Sequence, residues 1–468
     1  MNYRSLGNGI NGAVECIDTL ANILALTLGT SVTQTTVPVR SKARPTDVAG
    51  CTLEMGADGL WTGNLGTLTQ AQANAIQWVN LDVSRCVATA DGIKNRYGTA
   101  AVGDSITAST GHGGWYDMAC IISNQAILRR ANLSMYGYSL KDMRANMLSA
   151  IYRGVSEIFI MGGTNRSPLT ASGTDYISGA ANDMKYLVQL GLLFGIKISI
   201  FGIPPADAAG VTNYRQYTED CNCCFQAIAT TYNVSYHYIW EHVVDPATGG
   251  CLTSMFSSDL VHLTPTAQLL AAQKLISLRG GLDNPGISEY LPSIQRQQLG
   301  GVWTNPLHIS QLTSGVLAAE WSASGAGTGF STTVTAATDS FGNSQNIVAA
   351  AIAQEKGIFR VIPNASRGKK YVIVAKISIP ALSADAFVRF GIQYLDSVYA
   401  SISNEYALYG VPKAGIAGTL YMETTIPANA DLSKSRFAVL ISTGQTATAS
   451  ISRHQMYDVA NLVSPNNI

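Results

Sequence analysis

The chain has 468 residues, long enough for two or three domains, each with a sizeable core. Apolar residues make up 47% and charged residues 13%, roughly half the usual charged share, which excludes a disordered chain. With 30 basic and 30 acidic residues the formal charge is zero, so there is no electrostatic footprint for nucleic acid or an anionic membrane. A polymeric partner is expected to be neutral or weakly charged.

Residues 1–95 form an N-terminal segment. Its start, Met1-Asn2-Tyr3-Arg4-Ser5, lacks the basic, apolar, small order of a secretory signal. The apolar stretch from Ala13 to Leu28 carries Glu15 and Asp18 and falls short of a membrane span. Neither an export signal nor membrane insertion is expected. Val14, Ile17, Leu20, Ala21, Leu24 and Leu28 recur at helical spacing, predicting an amphipathic helix over residues 11–28. A second helix is predicted over residues 68–78, capped by Thr69. Such a segment suits attachment or oligomerisation, and equally a plain structural lid.

From residue 97 to 283 strand and helix alternate. Strands are predicted over 98–102, 131–135, 157–161, 196–201 and 234–240, and helices over 118–128, 140–153, 176–193, 214–232 and 265–279. Repeated units of this length predict a mostly parallel sheet with helices on both faces, an α/β domain over 96–290. Pro265 suits a helix start, where its missing N–H costs nothing. All eight cysteines lie at or before residue 251, in no disulfide framework. Cys221, Cys223 and Cys224 fall within a predicted helix without a second pair or a histidine at ligand spacing, which makes them inert thiols on a helix face.

After the turns around Gly280-Gly281 and Asn284-Pro285 the texture changes. Runs such as Tyr371-Val372-Ile373-Val374, Phe387-Val388-Arg389-Phe390 and Phe437-Ala438-Val439-Leu440, separated by Gly, Pro, Ser and Asn, predict an antiparallel β-sandwich over 300–468.

Four polar stretches coincide with the predicted ends of α/β units: Gly103-Asp104-Ser105, Tyr136-Gly137-Tyr138-Ser139, Gly162-Gly163-Thr164-Asn165, and Asp259-Leu260-Val261-His262. Each alone has an ordinary structural explanation as a turn or a helix entry. In this order and content the chain resembles the SGNH (GDSL-type) hydrolase family over residues 97–283. The resemblance implies a flavodoxin-like parallel sheet, with Ser105 as nucleophile, His262 as base and Asp259 as the carboxylate that holds the imidazole. It further implies an oxyanion hole made of the Ser105 and Gly137 N–H groups and the Asn165 side chain, each such donor typically worth about 3 to 4 kcal/mol of barrier. It implies neither a metal nor an organic cofactor.

Two positions depart from the family pattern, Ile106 for the usual Leu and Arg166 for the usual Asp. Ser139 competes with Gly137 if the alignment of the second stretch slips. Asp104 is not the triad acid and is expected to brace the turn. His237 and His242, beside Trp240, are expected to be surface or loop residues.

The sandwich looks like a jelly-roll carbohydrate-binding module, with Trp321, Tyr394, Tyr399, Tyr406 and Tyr409 as candidate stacking groups on loops or strand ends. Their alternative is a place in the core. The stretch Gly111-His112-Gly113-Gly114-Trp115-Tyr116 reads as a polar, aromatic loop suited to a sugar face. These features point to a carbohydrate O-acetylesterase acting on an acetylated polysaccharide. Together with the low charge and the missing export signal, the chain looks like a bacteriophage tail spike, a homotrimer that meets other virion tail proteins through its N-terminal segment. A bacterial carbohydrate esterase at the cell surface or outside the cell, a lipase-like hydrolase, and a non-catalytic receptor-binding fibre protein are the alternatives.

Overall fold

A computed structural model describes residues 38–41, 52–55, 61–64, 98–108, 114–165, 175–207 and 214–279. Towards the C-terminus it describes 309–312, 315–318, 321–324, 329–336, 343–350, 352, 355–362, 364–442 and 445–458. The two helices expected near the N-terminus, Arg166 and residues 111–113 lie outside these. In the N-terminal part, β1 (Pro38–Ser41), β2 (Thr52–Met55) and β3 (Trp61–Asn64) make an antiparallel sheet in the order β1-β3-β2.

The α/β part is built on five strands whose side chains alternate between two buried faces. They are β4 (Thr99–Gly103), β5 (Arg129–Asn132), β6 (Glu157–Met161), β7 (Lys197–Phe201) and β8 (Ser235–His237). All pairs are parallel and the order is β5-β4-β6-β7-β8, the flavodoxin-like arrangement. Ala100, Val102, Ile158, Ile160, Ile198 and Ile200 face one helical layer. This layer consists of α2 (Met143–Tyr152), α3 (Asp175–Leu193) and α4 (Tyr214–Tyr232). Ala101, Phe159, Met161 and Phe201 face the other layer, formed by α1 (Trp115–Ile122) and α5 (Pro265–Leu278). The order reverses between β4 and β6, and the loops leaving these two strands diverge to opposite faces. That divergence opens the crevice in which such sheets hold their ligands.

Several elements start or stop elsewhere than the sequence pattern predicts, among them β8, which spans Ser235–His237 within a predicted 234–240. Helix α1 begins at Trp115 and ends at Ile122, because Asn124 and Gln125 take left-handed backbone with φ of 52° and 65°. Strand β5 begins at Arg129 and ends at Asn132, after which the N–H groups of Leu133 and Met135 still donate to the Ala101 and Gly103 carbonyls of β4 at 2.8 and 3.1 Å. Its two arginines look unlike strand residues in sequence, yet both are buried: Arg129 pairs with Asp117 at 2.5 Å and Arg130 pairs with Glu423.

The C-terminal part contains the short hairpin β9 (Ile309–Leu312) and β10 (Gly315–Ala318). It continues through β11 (Trp321–Ser324), β12 (Phe330–Ala336), β13 (Asn343–Ala349), β14 (Lys356–Val361) and β15 (Lys370–Ile379). Strands β16 (Ala386–Leu395), β17 (Ser401–Val411), β18 (Ile416–Thr425), β19 (Arg436–Ser442) and β20 (Ala447–Asp458) complete it. Two antiparallel five-stranded sheets, β11-β14-β19-β16-β17 and β12-β13-β20-β15-β18, enclose a core that includes Val388, Phe390, Ile392, Val439 and Ile451.

The sandwich packs directly on the α/β part. Strand β18 approaches the end of α1 so closely that a Cβ on Gly418 would lie 2.0 Å from the Ile121 carbonyl oxygen. Gln125 Nε2 donates to the Thr419 carbonyl at 2.6 Å. The Arg130–Glu423 pair crosses the same seam with both side chains nearly solvent-free. The apolar core on the α1 and α5 side of the parallel sheet runs without a break into the sandwich.

Candidate active site

Ser105 occupies the turn that follows β4. Asp104 shapes this turn: its carbonyl accepts from the N–H groups of Thr107 (3.2 Å) and Ala108 (3.0 Å), and its Oδ1 from that of Ile106 (3.1 Å). Three neighbours hold the turn from outside. Asn132, at the end of β5, donates to the Thr107 carbonyl at 2.8 Å. The Trp115 indole N–H donates to Thr107 Oγ1 at 3.2 Å. Gln268 on α5 donates to the Ile106 carbonyl and accepts from the Trp115 N–H, both at 3.0 Å. The Ser105 turn and the helix after the histidine loop are therefore joined by one buried amide.

The loop that carries Asp259 and His262 is closed at its base by a bridge between Phe256 and Leu263. Within it Ser257 N–H donates to the His262 carbonyl at 2.8 Å, and Leu260 N–H to the Ser257 carbonyl at 3.0 Å. Leu260 takes φ of 54°, the left-handed conformation that bends the chain sharply enough to bring residues 259 and 262 side by side. The loop is also tied to the segment after β7, because Asp207 N–H donates to the Leu260 carbonyl at 3.1 Å.

These two loops bring the three predicted side chains into line. His262 Nε2 lies 2.9 Å from Ser105 Oγ, and His262 Nδ1 lies 2.5 Å from Asp259 Oδ2. Asp259 Oδ1 accepts from the N–H groups of Val261 (3.0 Å) and His262 (2.9 Å) and from the Ser257 hydroxyl (2.8 Å). Partial burial works to raise the Asp259 pKa, but the His262 ring, the two amides and the Ser257 hydroxyl outweigh it and hold the carboxyl well below its ordinary range. Asp259 is thus an anion throughout neutral pH, placed to keep the Nδ1 proton on the histidine and leave Nε2 as acceptor for the serine proton. Asp104 differs: it is fully buried, and desolvation pushes its pKa up to about 6 against the pull of the Ile106 amide, polar groups of Thr164 and the His262 ring.

The three expected oxyanion donors stand on the loops after β4, β5 and β6. Gly137 has φ of +71° and is solvent-exposed, with open space where a Cβ would be. Neither its N–H nor that of Ser105 meets an acceptor among the described residues. Ser139 is already engaged, its N–H (2.9 Å) and hydroxyl (2.6 Å) both donating to Asp142, so Gly137 rather than Ser139 has the available amide. Asn165 Nδ2 donates to the Tyr138 carbonyl at 3.1 Å, which ties the second and third loops together and commits one of its two amide hydrogens.

Other expectations need correction. Trp115 and Tyr116 do not form a sugar-facing loop. Both belong to α1 and are fully buried, Trp115 against Phe159, Phe201 and Trp240, and Tyr116 donating to the Thr99 carbonyl at 2.8 Å. Trp321, Tyr394 and Tyr406 are also buried rather than presented on loops; Tyr394 hydrogen-bonds Thr424 at 2.5 Å between the two sheets. Of the five candidates Tyr399 is exposed and Tyr409 half-buried. His237 and His242 are half-buried, and desolvation lowers the pKa of each; His242 Nε2 bonds the Ala267 carbonyl at 2.9 Å. Sequence reasoning missed Asn132, Gln268 and Tyr136. The Tyr136 ring lies beside that of His262, with centroids 6.1 Å apart. A Gln at the inward position of an apolar helix was the one available signal for Gln268.

No protein-family model matches the chain. No curated protein matches it in sequence. The solved structures similar to it include GDSL-like lipases, acylhydrolases and a tailspike domain. A lipase/acylhydrolase from Enterococcus faecalis is 18% identical with a TM-score of 0.31, over 39% of this chain and 94% of that one. An acetylxylan esterase from Geobacillus stearothermophilus is 16% identical with a TM-score of 0.33, over 40% and 94%. The enzymatically active domain of tailspike protein 4 of bacteriophage CBA120 is 12% identical with a TM-score of 0.25, over 30% of this chain and 20% of that one.

Proposed function

We propose that this chain is a serine esterase that removes O-acetyl groups from a polysaccharide through an acetyl-enzyme on Ser105. The observation that carries the reading is the hydrogen-bonded line from Ser105 Oγ to His262 Nε2 at 2.9 Å and from His262 Nδ1 to Asp259 at 2.5 Å. In acylation Ser105 Oγ attacks the acetyl carbonyl while its proton passes to His262 Nε2. The negative oxygen is met by the N–H groups of Ser105 and Gly137 and by the remaining amide hydrogen of Asn165. The C–O bond to the alcohol then breaks, and the leaving oxygen takes the proton from Nε2. In deacylation water attacks the ester carbon, gives its proton to His262, and Ser105 leaves with that proton, releasing acetate.

A polymer as substrate is supported by a net charge of zero and by the outer end of the triad, where the Asp259 side chain is 48% exposed while Ser105 is buried at 4%. The setting we propose is a virion tail spike acting on a bacterial surface glycan as a homotrimer, attached through its N-terminal segment to other tail proteins. Release of acetate from acetylated glycans, with hydrolysis of p-nitrophenyl acetate as a second readout, tests the chemistry. Wild type is expected to be active and Ser105→Ala inactive on both, and equal activity of the two would remove Ser105 from the mechanism. Mass spectrometry should find loss of acetyl groups without backbone cleavage. Light scattering that returns a monomer would remove the trimer.

A further inference from the structure

Met135 and Tyr136 are two of only six large apolar side chains that stand exposed among the described residues, at 48% and 44%. Both stand just before Gly137, on the segment that follows β5. The backbone fixes their position: Met135 N–H donates to the Gly103 carbonyl at 3.1 Å, one residue before Asp104, and Tyr138 N–H returns to the Met135 carbonyl at 3.4 Å. The Tyr136 ring lies against the His262 ring at 6.1 Å and 39°. An aromatic ring half exposed beside His262 offers apolar area whose covering by a bound molecule is favourable.

The place of that ring identifies which half of an ester it meets. The Ser105 and Gly137 N–H groups fix the carbonyl oxygen. His262 Nε2 must deliver its proton to the departing alcohol oxygen, so the alcohol leaves along the side where His262 stands. A ring packed on His262 therefore borders the alcohol and not the acyl group. A flat ring with one polar edge, flanked by a conformationally adaptable Met, suits a flat apolar face with hydroxyls at its rim.

We propose that Tyr136, assisted by Met135, is the residue that selects the leaving alcohol, and that it does so by stacking on the C–H face of the pyranose bearing the ester. The second half of this statement rests on the esterase reading above; the first requires only that Ser105 and His262 cleave some ester. Tyr136 then acts in acylation alone, because the alcohol has left before water attacks the acetyl-enzyme.

The full chain and its Tyr136→Ala and Tyr136→Phe variants would be compared on a peracetylated methyl pyranoside, on ethyl and cyclohexyl acetate, and on p-nitrophenyl acetate and butyrate. With Tyr136→Ala, kcat/KM for the acetylated pyranoside is expected to fall about tenfold, with Tyr136→Phe within about twofold of wild type. The cyclohexyl-over-ethyl preference should shrink in the Ala variant. The acetyl-over-butyryl preference and the deacylation rate constant, read from the burst with p-nitrophenyl acetate, should not change. A changed acyl preference or deacylation rate would place Tyr136 on the acyl side and overturn the assignment, as would an unchanged cyclohexyl-over-ethyl preference. If wild type cleaves alkyl and aryl acetates but not the pyranoside, the sugar substrate fails while the alcohol-side assignment is still decided by the cyclohexyl and ethyl pair. Hydrolysis of no ester at all overturns both readings.

Discussion

Asp385, in the sandwich, completes the cap of the helix that follows the loop of Asp259 and His262. Thr264 is the N-cap of α5, its Oγ1 accepting from the Ala267 N–H and its carbonyl from the Gln268 N–H. Pro265 has no N–H to satisfy. The remaining donor of the first turn is Thr266 N–H, and it is met by Asp385 Oδ2 at 3.1 Å, while the Thr266 hydroxyl donates to Oδ1 at 2.6 Å. Oδ1 also accepts from Lys413 N–H at 2.7 Å. Replacing Asp385 by Ala removes an anion from a helix N-terminus and strands three donors. A lost cap costs about 0.5–2 kcal/mol and a charge at a helix start adds about 0.3–1 kcal/mol, so about 2 kcal/mol is expected at a half-buried site where water can re-solvate the donors. Asp385→Asn, which keeps one acceptor oxygen, should lose about half of that. Urea unfolding gives the stability, and p-nitrophenyl acetate kinetics gives the second readout. Because Thr266 lies four residues after His262, a loosened helix start should lower kcat severalfold with little change in KM. An Asp385→Ala protein within about 0.5 kcal/mol of wild type, with kcat unchanged, would show that the sandwich does not hold the histidine loop.

Three further outcomes follow from the site and the core. Asp259→Asn should leave folding intact and lower kcat by about 10⁴, since an amide no longer fixes the Nδ1 proton; Asp104→Asn, which keeps the acceptor for Ile106 N–H and removes a buried charge, should cost less than about tenfold. Steady-state kinetics on p-nitrophenyl acetate separates the two, and similar losses would refute the assignment of roles. Gly137→Ala should destabilise by about 1–2 kcal/mol through its φ of +71° alone, since the added methyl meets no atom, and should lower kcat if the N–H turns away; a thermal melt and kcat measured together check this. His454 is buried between Trp321 and Phe437, and burial, helped by the nearby positive charge of Arg360, holds its pKa well below the usual value. The unfolded chain therefore takes up a proton below about pH 6.5 that the folded chain refuses, and stability falls with pH by up to about 1.4 kcal/mol per unit for this group. Asp104 acts oppositely between its ordinary value and about 6, where the folded chain holds the extra proton. His454→Phe should flatten the acid slope in urea titrations at pH 7 and 5.5, and an unchanged slope would refute the role of His454.

The α/β alternation was legible because its strands are continuous apolar runs, and helix α4 and strand β6 fall where periodicity predicts them. What escaped the pattern were residues whose partners are distant in sequence. Arg129 and Arg130 fall between a predicted helix and a predicted strand, and their burial in β5 is explained by Asp117 and Glu423 beside them. Trp115 and Tyr116 follow a glycine-rich stretch and look like loop residues. Their burial comes from Phe159, Phe201 and Trp240, none within forty positions of them. At the site, Ser105, Asp259 and His262 could be named because each lies in a short, ordered motif. Gln268 and Tyr136 could not, since a single amide or ring acquires its meaning from the surface it meets.

That same dependence on distant partners makes the sandwich more than a module joined by a linker. The α/β sheet needs both faces covered, and on the side of α1 and α5 the covering core continues into the sandwich. Arg130 and Glu423 are desolvated together at the seam, so removing either side chain would leave the other a buried charge without its partner. The ion pair, Gln125 on the Thr419 carbonyl and Asp385 on Thr266 tie the two parts together through three directional contacts. Two of these three contacts act on segments that shape the site: Arg130 lies on the strand leading to Asn132 and Tyr136, and Thr266 on the helix leading from His262. The geometry around Ser105 is therefore set by two layers of structure at once, one supplying the proposed triad and the other contacting the segments that lead to its loops.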